Sequence, residues 1–462
     1  MPHTLFGPEL RLALQGNDVA ELRAFAESLH PATVAETLSD DFSVEDSWRV
    51  LQSTDIRNQA AIFEYLPIET QTTMVAGTGQ PQMARLIEQM SHDDRADLLR
   101  RLAPPAVESL LRLVDEADRR DIATLVKYSE NTVGAIMTTD YAWLPVNLTA
   151  GDAIDRLRQQ APDRETIYYV YVLEEATRQL IGIISLRDLI LAPRTVPLRE
   201  LMSTDVYSLR ATDDREVAAQ MLARYDLLAL PVIDETSRLV GIVTHDDAID
   251  VMVQEATEDL QRQAGVGPIA ENYLEAGFFK VWRKRTFWLA MLFIAEMATF
   301  NAMAYFDDAM RAVTVLALFV PLCISVGGNS GSQAATLITR ALALGQITPR
   351  SWFRVVRHEL AMGLALGVTL GTIGLFRSWL MTPSHVLVNP NGSQTDLWRL
   401  SVSVSLAITA ICTWGTLIGS ILPLLFKWRG IDPGIASSPF VSTFVDVTGI
   451  VIYFSIAKIY LL

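Results

Sequence analysis

The sequence predicts a protein of three parts: an acidic α-helical region, an α/β region with an internal duplication, and an all-α membrane region. Residues 1–276 contain 24 Lys and Arg against 46 Asp and Glu, a net charge of −22. Residues 277–462 contain 14 against 7, a net charge of +7, and these few charges lie between long apolar runs. Because 462 residues are too many for one hydrophobic core, we expect a soluble first part and a membrane-spanning second part.

Residues 1–130 carry short helical patterns that are interrupted by Pro, Gly and Asp. Apolar residues recur at helical spacing and polar residues fill the opposite face, for example over 19–29, 56–65 and 95–102. This pattern predicts a compact array of small helices, arranged as a superhelix. The acidic composition argues against nucleic-acid binding and suits multivalent cations.

Residues 131–253 contain a degenerate duplication. Each copy begins with Met-x-Thr-Asp, at Met137 and at Met202, 65 residues apart. Each copy ends with the pattern Gly-h-h-[Ser/Thr]-x-x-Asp, where h is apolar, at 182–188 and 241–247. An internal repeat is strong evidence of fold, and these β-α-β-β-α units resemble a tandem pair of CBS domains.

The sequence of residues 254–280 predicts a connecting helix. The basic residues at 280–285, which we call the basic collar, follow it. Five apolar spans are expected after it, and they cover 286–306, 312–338, 358–381, 400–426 and 439–461. The two cysteines, Cys323 and Cys412, fall within these runs, so no disulfide framework is expected.

The distribution of basic residues predicts the orientation of the spans. The collar and the loops 339–357 and 427–438 are basic, whereas the opposite loops contain only Arg311 and Arg399 as basic residues. Basic loops remain on the cytoplasmic side, so five spans place the N-terminus inside and the C-terminus outside. The first residues lack the basic and apolar segments of a secretory signal, which agrees with a cytoplasmic soluble region.

One carboxylate, Asp446, lies within the otherwise apolar final span. A bare carboxylate at bilayer depth is unfavourable by about 3 kcal/mol or more, so it must face water, a cation or the interior of a helix bundle. Ser442 and Gly449 share its helical face. Since no Lys or Arg lies deep in a predicted span, a cation path is favoured over a structural ion pair. Glu296 is a weaker candidate, which lines the path or packs against the polar second span, and Glu359 is expected at the membrane surface beside His358.

The second predicted span contains the polar, glycine-rich run 327–333, Gly-Gly-Asn-Ser-Gly-Ser-Gln. Small and polar residues at membrane depth occur where the backbone lines a cavity or where two helices cross closely. The sequence leaves both interpretations open.

This pattern resembles the MgtE family of magnesium channels and transporters over nearly the whole chain. The resemblance is carried by the run at 327–336, by Asp432-Pro, by the motif 438–449 and by the order of the regions. It implies a homodimer in a bacterial-type cell (inner) membrane, with the pore between the subunits. The implied regions are a helical N domain at 1–130, a CBS pair at 131–253, a linking (plug) helix at 254–280 and a five-helix pore domain at 281–462.

The same resemblance implies that Asp446 forms the selectivity filter with backbone carbonyls near Ser442, and it adds Asp432 to the expected metal path. Mg²⁺ prefers oxygen ligands and retains its waters, which a pair of carboxylates can bind without dehydrating the ion. Ser438 stands where relatives carry Asn, so the resemblance implies no role for this position.

Several acidic residues of the soluble region form a second candidate site, apart from Asp446. Their spacing places many of them on shared helical faces. The set comprises Asp93, Asp94, Asp97, Asp226, Asp246, Asp247, Asp250, Glu255, Glu258 and Asp259. From spacing alone, a solvated acidic face is the usual interpretation. The resemblance implies instead that cytosolic Mg²⁺ bridges these residues and closes the pore, as negative feedback.

By resemblance to nucleotide-binding CBS units, Ser185 and Asp188 would hold ribose and phosphate, Arg187 the phosphate, and Tyr169 or Tyr171 the base of ATP. Thr244 and Asp247 correspond in the second unit, although Asp247 also belongs to the acidic set. The sequence leaves ATP binding open, because many CBS pairs bind no ligand.

The expected function is a Mg²⁺-selective channel or transporter that is closed by cytosolic Mg²⁺. The alternatives are a broader carrier of Co²⁺ or Mn²⁺ and a membrane-anchored nucleotide-sensing regulator. The absence of His and Cys near Asp446 favours a hard ion. No nucleophile–base set or phosphate-binding loop is present in the sequence, so an enzyme is not expected.

Overall fold

The computed structural model describes residues 7–269, 276–381, 387–388 and 394–461. Parts of the predicted connecting helix 254–280 and of the predicted loop 382–399 lie outside these residues. The chain forms two compact units, Met1–Val253 and Gln254–Leu462. Each unit has its own hydrophobic cores.

The first unit begins with ten short helices, which confirms the predicted helical region. Asp18, Ser43 and Asp55 each precede a helix, and their side chains accept hydrogen bonds from its first N–H groups. The helices are α1 (Gly7–Gly16), α2 (Val19–Ser28), α3 (Pro31–Asp41), α4 (Val44–Gln52), α5 (Ile56–Glu64), α6 (Ile68–Gly77), α7 (Gln80–Glu88), α8 (His92–Arg101), α9 (Pro104–Leu111) and α10 (Glu116–Leu125).

The predicted duplication folds as two α/β units, each with a three-stranded sheet. In each sheet the first two strands are parallel and the last two are antiparallel. The first unit contains β1 (Tyr141–Pro145), α11 (Ala150–Gln160), β2 (Thr166–Leu173), β3 (Leu180–Ser185), α12 (Leu186–Leu191) and α13 (Leu198–Leu201). The second contains β4 (Leu209–Arg210), α14 (Arg215–Tyr225), β5 (Ala229–Ile233), β6 (Leu239–Thr244) and α15 (His245–Gln263).

The repeated Met and Gly residues of the duplication meet crosswise. The start of the second copy forms a β-bridge to β3 of the first, and the start of the first copy forms one to β6 of the second. A Cβ atom at Gly182 would lie 2.9 Å from the sulfur of Met202, and one at Gly241 would lie 2.8 Å from that of Met137. Glycine is required at both positions because the two copies pack this closely.

The helical region and the second α/β unit share a hydrophobic core. Ala96 of α8 and Leu125 of α10 are buried in the same cluster as Leu230 and Val243 of the second sheet. This packing brings the N-terminal end of α8 close to the start of α15.

The second unit consists mainly of long helices. They are α16 (Phe278–Tyr305), the short α17 (Asp307–Ala312), α18 (Leu316–Ala343), α19 (Trp352–Met381), α20 (Leu397–Trp428) and α21 (Ser438–Leu461). Helices α18, α20 and α21 pack against one another, α19 packs on α20, and α16 packs on α21.

Each predicted span coincides with a long helix, but the number that qualifies by apolarity differs from the prediction. Among the described helices, four are long and apolar enough to cross a membrane: Phe278–Tyr305, Pro349–Leu380, Leu397–Trp428 and Ser438–Leu461. The predicted second span corresponds to α18, which has 28 residues. It contains no membrane-length stretch as apolar as those of the other four helices, because the polar glycine-rich run interrupts it.

Two helices begin before the residues that the sequence predicted. α15 runs without interruption from His245 to Gln263, so the connecting helix expected from residue 254 is a continuation of the last helix of the second α/β unit. α16 begins at Phe278 and contains the basic collar. Lys and Arg are good helix formers, so α16 begins with the basic collar before its apolar segment starts.

Candidate functional site

The glycine-rich run of α18 forms a very close crossing with α20. A Cβ atom at Gly415 would collide with the carbonyl oxygen of Gly327, and one at Gly419 with that of Gly331. The hydroxyl of Ser330 donates to the carbonyl oxygen of Cys412 at 3.2 Å. Of the two interpretations that the sequence left open, the structure shows the close crossing.

Helix α21 lies on another side of the same run and presents Ser442 and Asp446 to it. A Cβ atom at Gly328 would collide with the hydroxyl oxygen of Ser442 and would lie 3.5 Å from Asp446 Oδ1. The hydroxyl of Ser332 donates to the carbonyl oxygen of Ser438 at 3.2 Å. A polar strip along α21 therefore faces the small residues of α18, and both Ser442 and Asp446 are half-buried.

Glu296 of α16 is a second carboxylate near Asp446. The two are close enough for their negative charges to repel, and Glu296 accepts a hydrogen bond of 3.0 Å from Thr299. Within the described part of the chain, no ion pair includes either carboxylate. Glu359 lies near the start of α19, beside His358. The Glu296–Asp446 pair therefore forms a negative region that is suited to a cation.

Asp432 has a different environment from Asp446, because it is held by a cation of the protein itself. Arg262 of α15 forms ion pairs with Asp432 and, at 2.9 Å, with Glu258. Asp432 also accepts a 2.7 Å hydrogen bond from the backbone N–H of Gly434. In this structure, the Asp432 carboxylate that the resemblance placed in the metal path is therefore bound by the guanidinium group of Arg262.

The other acidic residues of α15 in this unit are half-buried. Glu255, Glu258 and Asp259 follow one another on the helix, as their spacing predicted. Desolvation raises the pKa of Asp259, Glu255 and Glu258 raise it further, and Arg262 and Lys427 oppose this shift.

In the first unit, Asp93 at the start of α8 lies close to Asp247 at the start of α15. Asp247 also accepts a 2.5 Å hydrogen bond from the hydroxyl of Thr244. Desolvation, followed by the charge of Asp93, raises the pKa of Asp247 to about 9. Desolvation and the charges of Asp93 and Glu64 raise the pKa of Asp94 to about 8. We call these residues, with Asp246, the acidic cluster.

Three further carboxylates adjoin the acidic cluster and were not predicted. Glu64 accepts a 2.6 Å hydrogen bond from the backbone N–H of Ser91, and desolvation raises its pKa to about 7. Desolvation and then Asp93 raise the pKa of Glu165 to about 7. Asp140 pairs with Arg164 at 3.3 Å. Asp140 closes the first Met-x-Thr-Asp motif, the one sequence signal that pointed to this group.

The remaining predicted acidic residues lie outside this cluster or at its edge. Asp97 pairs with Arg100 at 2.5 Å, and Asp226 is an exposed helix cap in the left-handed conformation. Asp246 and Asp250 are exposed. Among the residues that the structure describes, no group of three or more His, Cys, Asp or Glu side chains is arranged to hold a metal ion. The cluster is therefore a region of high negative charge rather than a preformed set of direct ligands.

The predicted nucleotide residues lie at the end of β3 and on the adjacent strand. Ser185 and Asp188 are hydrogen-bonded to each other at 2.6 Å, Arg187 is exposed, and Tyr169 is paired with Ser185 in the sheet. Tyr171 is fully buried, and its ring packs edge-on against Tyr141 with centroids 6.1 Å apart. In this packing Tyr171 is unavailable to a base, whereas the other four residues share one end of the sheet.

Several membrane-length helices joined to a helical region and a CBS pair define a multi-pass membrane protein with a soluble unit. Models of three families match this chain: the MgtE intracellular N domain at 29–131, the CBS domain at 133–194 and 198–254, and the MgtE divalent cation transporter at 320–456. The chain belongs to the MgtE family, a family of transporters and not of enzymes.

The chain is similar to curated proteins over almost its whole length. It is 37% identical over 455 residues to the magnesium transporter MgtE of Thermus thermophilus, covering 98% of each chain. It is 29% identical to the magnesium transporter MgtE of Bacillus subtilis, covering 97% of this chain and 96% of the relative.

Two solved structures resemble the soluble unit. The cytosolic domain of the Mg²⁺ channel MgtE in complex with ATP is 35% identical, covers 53% of this chain and 99% of its own, and has a TM-score of 0.51. The soluble part of a magnesium transporter is 31% identical, covers 54% of this chain and 98% of its own, and also has a TM-score of 0.51.

Proposed function

We propose that this protein is a Mg²⁺-selective channel or transporter that conducts Mg²⁺ into the cytoplasm through a path selected by Asp446. The observation that carries the proposal is the position of Asp446, which lies with Ser442 against Gly328 of α18 at membrane depth. Membership of a divalent cation transporter family, and relatives that are magnesium transporters over their whole length, support Mg²⁺ as the ion.

The chemistry of the polar strip fits a hydrated divalent cation. Mg²⁺ gives up its waters reluctantly and prefers oxygen ligands, and α21 offers the carboxylate of Asp446 and the hydroxyl of Ser442. The charge of Glu296 adds to the negative potential, which favours divalent over monovalent cations. In the proposed homodimer, two Asp446 side chains face each other across the path.

We further propose that α18 crosses the membrane with the four helices that are each long and apolar enough to do so. Five spans place the acidic soluble unit in the cytoplasm and the C-terminus outside, in agreement with the basic loops. The functional regions are then a helical N domain at 1–130, a CBS pair at 131–253, a linking (plug) helix at 254–280 and a pore domain at 281–462.

Cytosolic Mg²⁺ is proposed to act on the acidic cluster as negative feedback. The carboxylates of Asp93 and Asp247 lie close together, and desolvation with the charge of Asp93 favours a proton on Asp247 when no cation is bound. Hydrated Mg²⁺ can replace that proton through its bound waters, which does not require a preformed set of direct ligands. A state that binds Mg²⁺ more tightly gains population as Mg²⁺ rises, and we propose that this state is closed.

ATP is proposed to modulate the protein at the first α/β unit. The carboxylate of Asp188 would hold the ribose hydroxyls, the hydroxyl of Ser185 would lie near the phosphates with Arg187, and Tyr169 would lie near the base. Support comes from the grouped position of these residues, of which Arg187 and Asp188 are exposed, and from the relative whose cytosolic domain was solved with ATP.

The test is Mg²⁺ uptake by proteoliposomes that contain the full chain, with wild type compared with Asp446→Asn. We expect a loss of at least about 100-fold in uptake, since the variant keeps the shape of the side chain but removes its charge. The control is Glu359→Gln, which removes a different carboxylate from the membrane unit and should retain uptake. Unchanged uptake in Asp446→Asn would contradict the proposal, and equal uptake of Co²⁺ or Mn²⁺ would favour a broader carrier.

A further inference from the structure

An apolar groove of about 420 Å³ opens between the beginning of α19 and the end of α20. Its lining is entirely apolar and consists of Pro349, Trp352, Val356, Ile421, Leu424, Leu425 and Trp428. We infer that this groove binds an acyl chain of an anionic phospholipid, whose headgroup contacts the basic residues around the groove. The inference does not depend on which ion the protein carries.

The depth of the groove matches the boundary between acyl chains and headgroups. It lies at the ends of two membrane-length helices, where α19 begins at Trp352 and α20 ends at Trp428. These two tryptophans line it and are 58% and 71% exposed. Exposed tryptophans at the ends of membrane helices mark the interface between hydrocarbon and water, so the groove is open to lipid there.

The charge around the groove selects the class of headgroup. Five exposed basic residues lie next to the lining residues in the chain: Arg350, Arg354, Arg357, Lys427 and Arg429. No Asp or Glu occurs within 344–358 or 425–431. Basic residues that surround an apolar pocket between membrane helices favour anionic headgroups by about 1 kcal/mol for each Lys or Arg near the membrane surface.

The size of the groove favours a lipid chain over a second copy of the protein. Its volume is typical of a small-molecule site, which holds about 300–1,000 Å³. A stable protein interface buries about 1,200–2,000 Å² in total, which seven side chains do not supply.

The first experiment is native mass spectrometry of the full chain in detergent, with phosphatidylglycerol or phosphatidylcholine of the same acyl chains added. We expect one phosphatidylglycerol to be retained about tenfold more tightly than phosphatidylcholine. Equal retention of the two lipids would overturn the inference.

Two variants and two matched controls locate the site. Arg350→Gln/Arg429→Gln, next to the lining residues Pro349 and Trp428, should remove the preference for the anionic lipid. Arg377→Gln, near the other end of α19, should keep it. Ile421→Trp should fill the groove and reduce retention of both lipids, whereas Ile373→Trp, on an exposed part of α19, should not.

Unchanged lipid retention in both groove variants would overturn the inference. A change of oligomeric state in Ile421→Trp, with lipid retention intact, would assign the groove to a second copy and would also overturn it. If Ile421→Trp does not fold, the arginine variant decides, because both of its side chains are exposed.

Discussion

Asp93 and Asp247 lie close enough together for the charge of Asp93 to raise the pKa of Asp247, although the two residues are far apart in the chain. Two carboxylates this close avoid mutual repulsion when one of them holds a proton. Desolvation and the charge of Asp93 keep that proton on Asp247 up to a pH of about 9. A divalent cation is the natural competitor of this proton, because it also removes the repulsion between the two charges.

The first prediction is that the first unit becomes less stable as pH rises from 7 to 9 in the absence of divalent cations. In the unfolded chain these carboxyl groups titrate near pH 4, whereas in the folded unit the pKa of Asp94 is about 8 and that of Asp247 about 9. The folded state therefore binds more protons in this range, and its stability falls as pH rises. Hydrogen exchange of the full chain in chelator, at several pH values and corrected for intrinsic rates, measures this.

The chosen pH range separates these carboxylates from His92. Desolvation, with Arg95 and Arg164, lowers the pKa of His92 to about 3. Toward pH 8 and above this imidazole is almost fully neutral in both the folded and the unfolded state. Its small remaining effect near pH 7 is an increase of stability with pH, opposite in sign to the predicted decrease. With saturating Mg²⁺ the decrease in protection should become smaller, and a decrease that is identical with and without Mg²⁺ would argue against cation binding at the cluster.

A second prediction concerns Asp247→Asn. The substitution removes the need to protonate this carboxyl group on folding, because Asn is neutral without a proton, and it keeps an oxygen that can accept from Thr244. The chain without cation should therefore become more stable. An effect of about 1 kcal/mol corresponds to a rise of roughly 2–4 °C in Tm. Thermal unfolding of the full chain should also show a smaller stabilisation by Mg²⁺. Asp226→Asn, at an exposed helix cap, is the control, and an equal loss of Mg²⁺ stabilisation in both variants would contradict the prediction.

The sequence predicted the classes of fold well because the signals involved are local. The duplication, the helical periodicity and the apolar runs each extend over a single element. The acidic spacings predicted which carboxylates share a helix face, as for Glu255, Glu258 and Asp259. The sequence could not show that Asp93 meets Asp247, because this contact follows from a core that α8 and α10 share with the second sheet.

The differences from the predictions also have physical reasons. Tyr171 was offered, as an alternative to Tyr169, for contact with a nucleotide base by resemblance alone, and residues 170–173 of β2 are all buried. A strand that is covered on both faces gives no alternation to read. Similarly, Asp432 resembled a metal ligand by motif, and only the fold reveals that Arg262 occupies its carboxylate.

A third prediction addresses the close crossing of α18 and α20. Gly415→Ala places a methyl group against the carbonyl oxygen of Gly327, a rigid backbone atom. Overpacking of this kind destabilises a structure by about 1–3 kcal/mol, so Tm should fall by several degrees. Gly77→Ala, where a Cβ meets nothing within 4 Å, should leave it unchanged. An unchanged Tm in Gly415→Ala would show that the helices separate easily.

A fourth prediction concerns the ion pair between Arg262 and Asp432. Arg262→Gln and Asp432→Asn should each lower the stability of the full chain, and the double variant should lose less than the sum of the two. The side chains are each 31% exposed, so we expect a coupling energy of about 0.5–1 kcal/mol. Thermal unfolding of the wild type, the two single variants and the double variant gives this coupling energy as a double-mutant cycle. Strict additivity would show that the pair contributes no coupling.

The last prediction follows from the proposed ion path and concerns Glu296. Its carboxylate repels that of Asp446, so Glu296→Gln should weaken the attraction of the path for Mg²⁺ without removing the charge of Asp446. We expect half-maximal uptake in proteoliposomes to require several-fold more Mg²⁺, since an effect of about 1 kcal/mol changes affinity about fivefold. Thr299→Val, which removes only the hydrogen bond to Glu296, should change uptake less. A complete loss of uptake in Glu296→Gln would assign selection to Glu296 itself, and an unchanged Mg²⁺ dependence would place Glu296 outside the path.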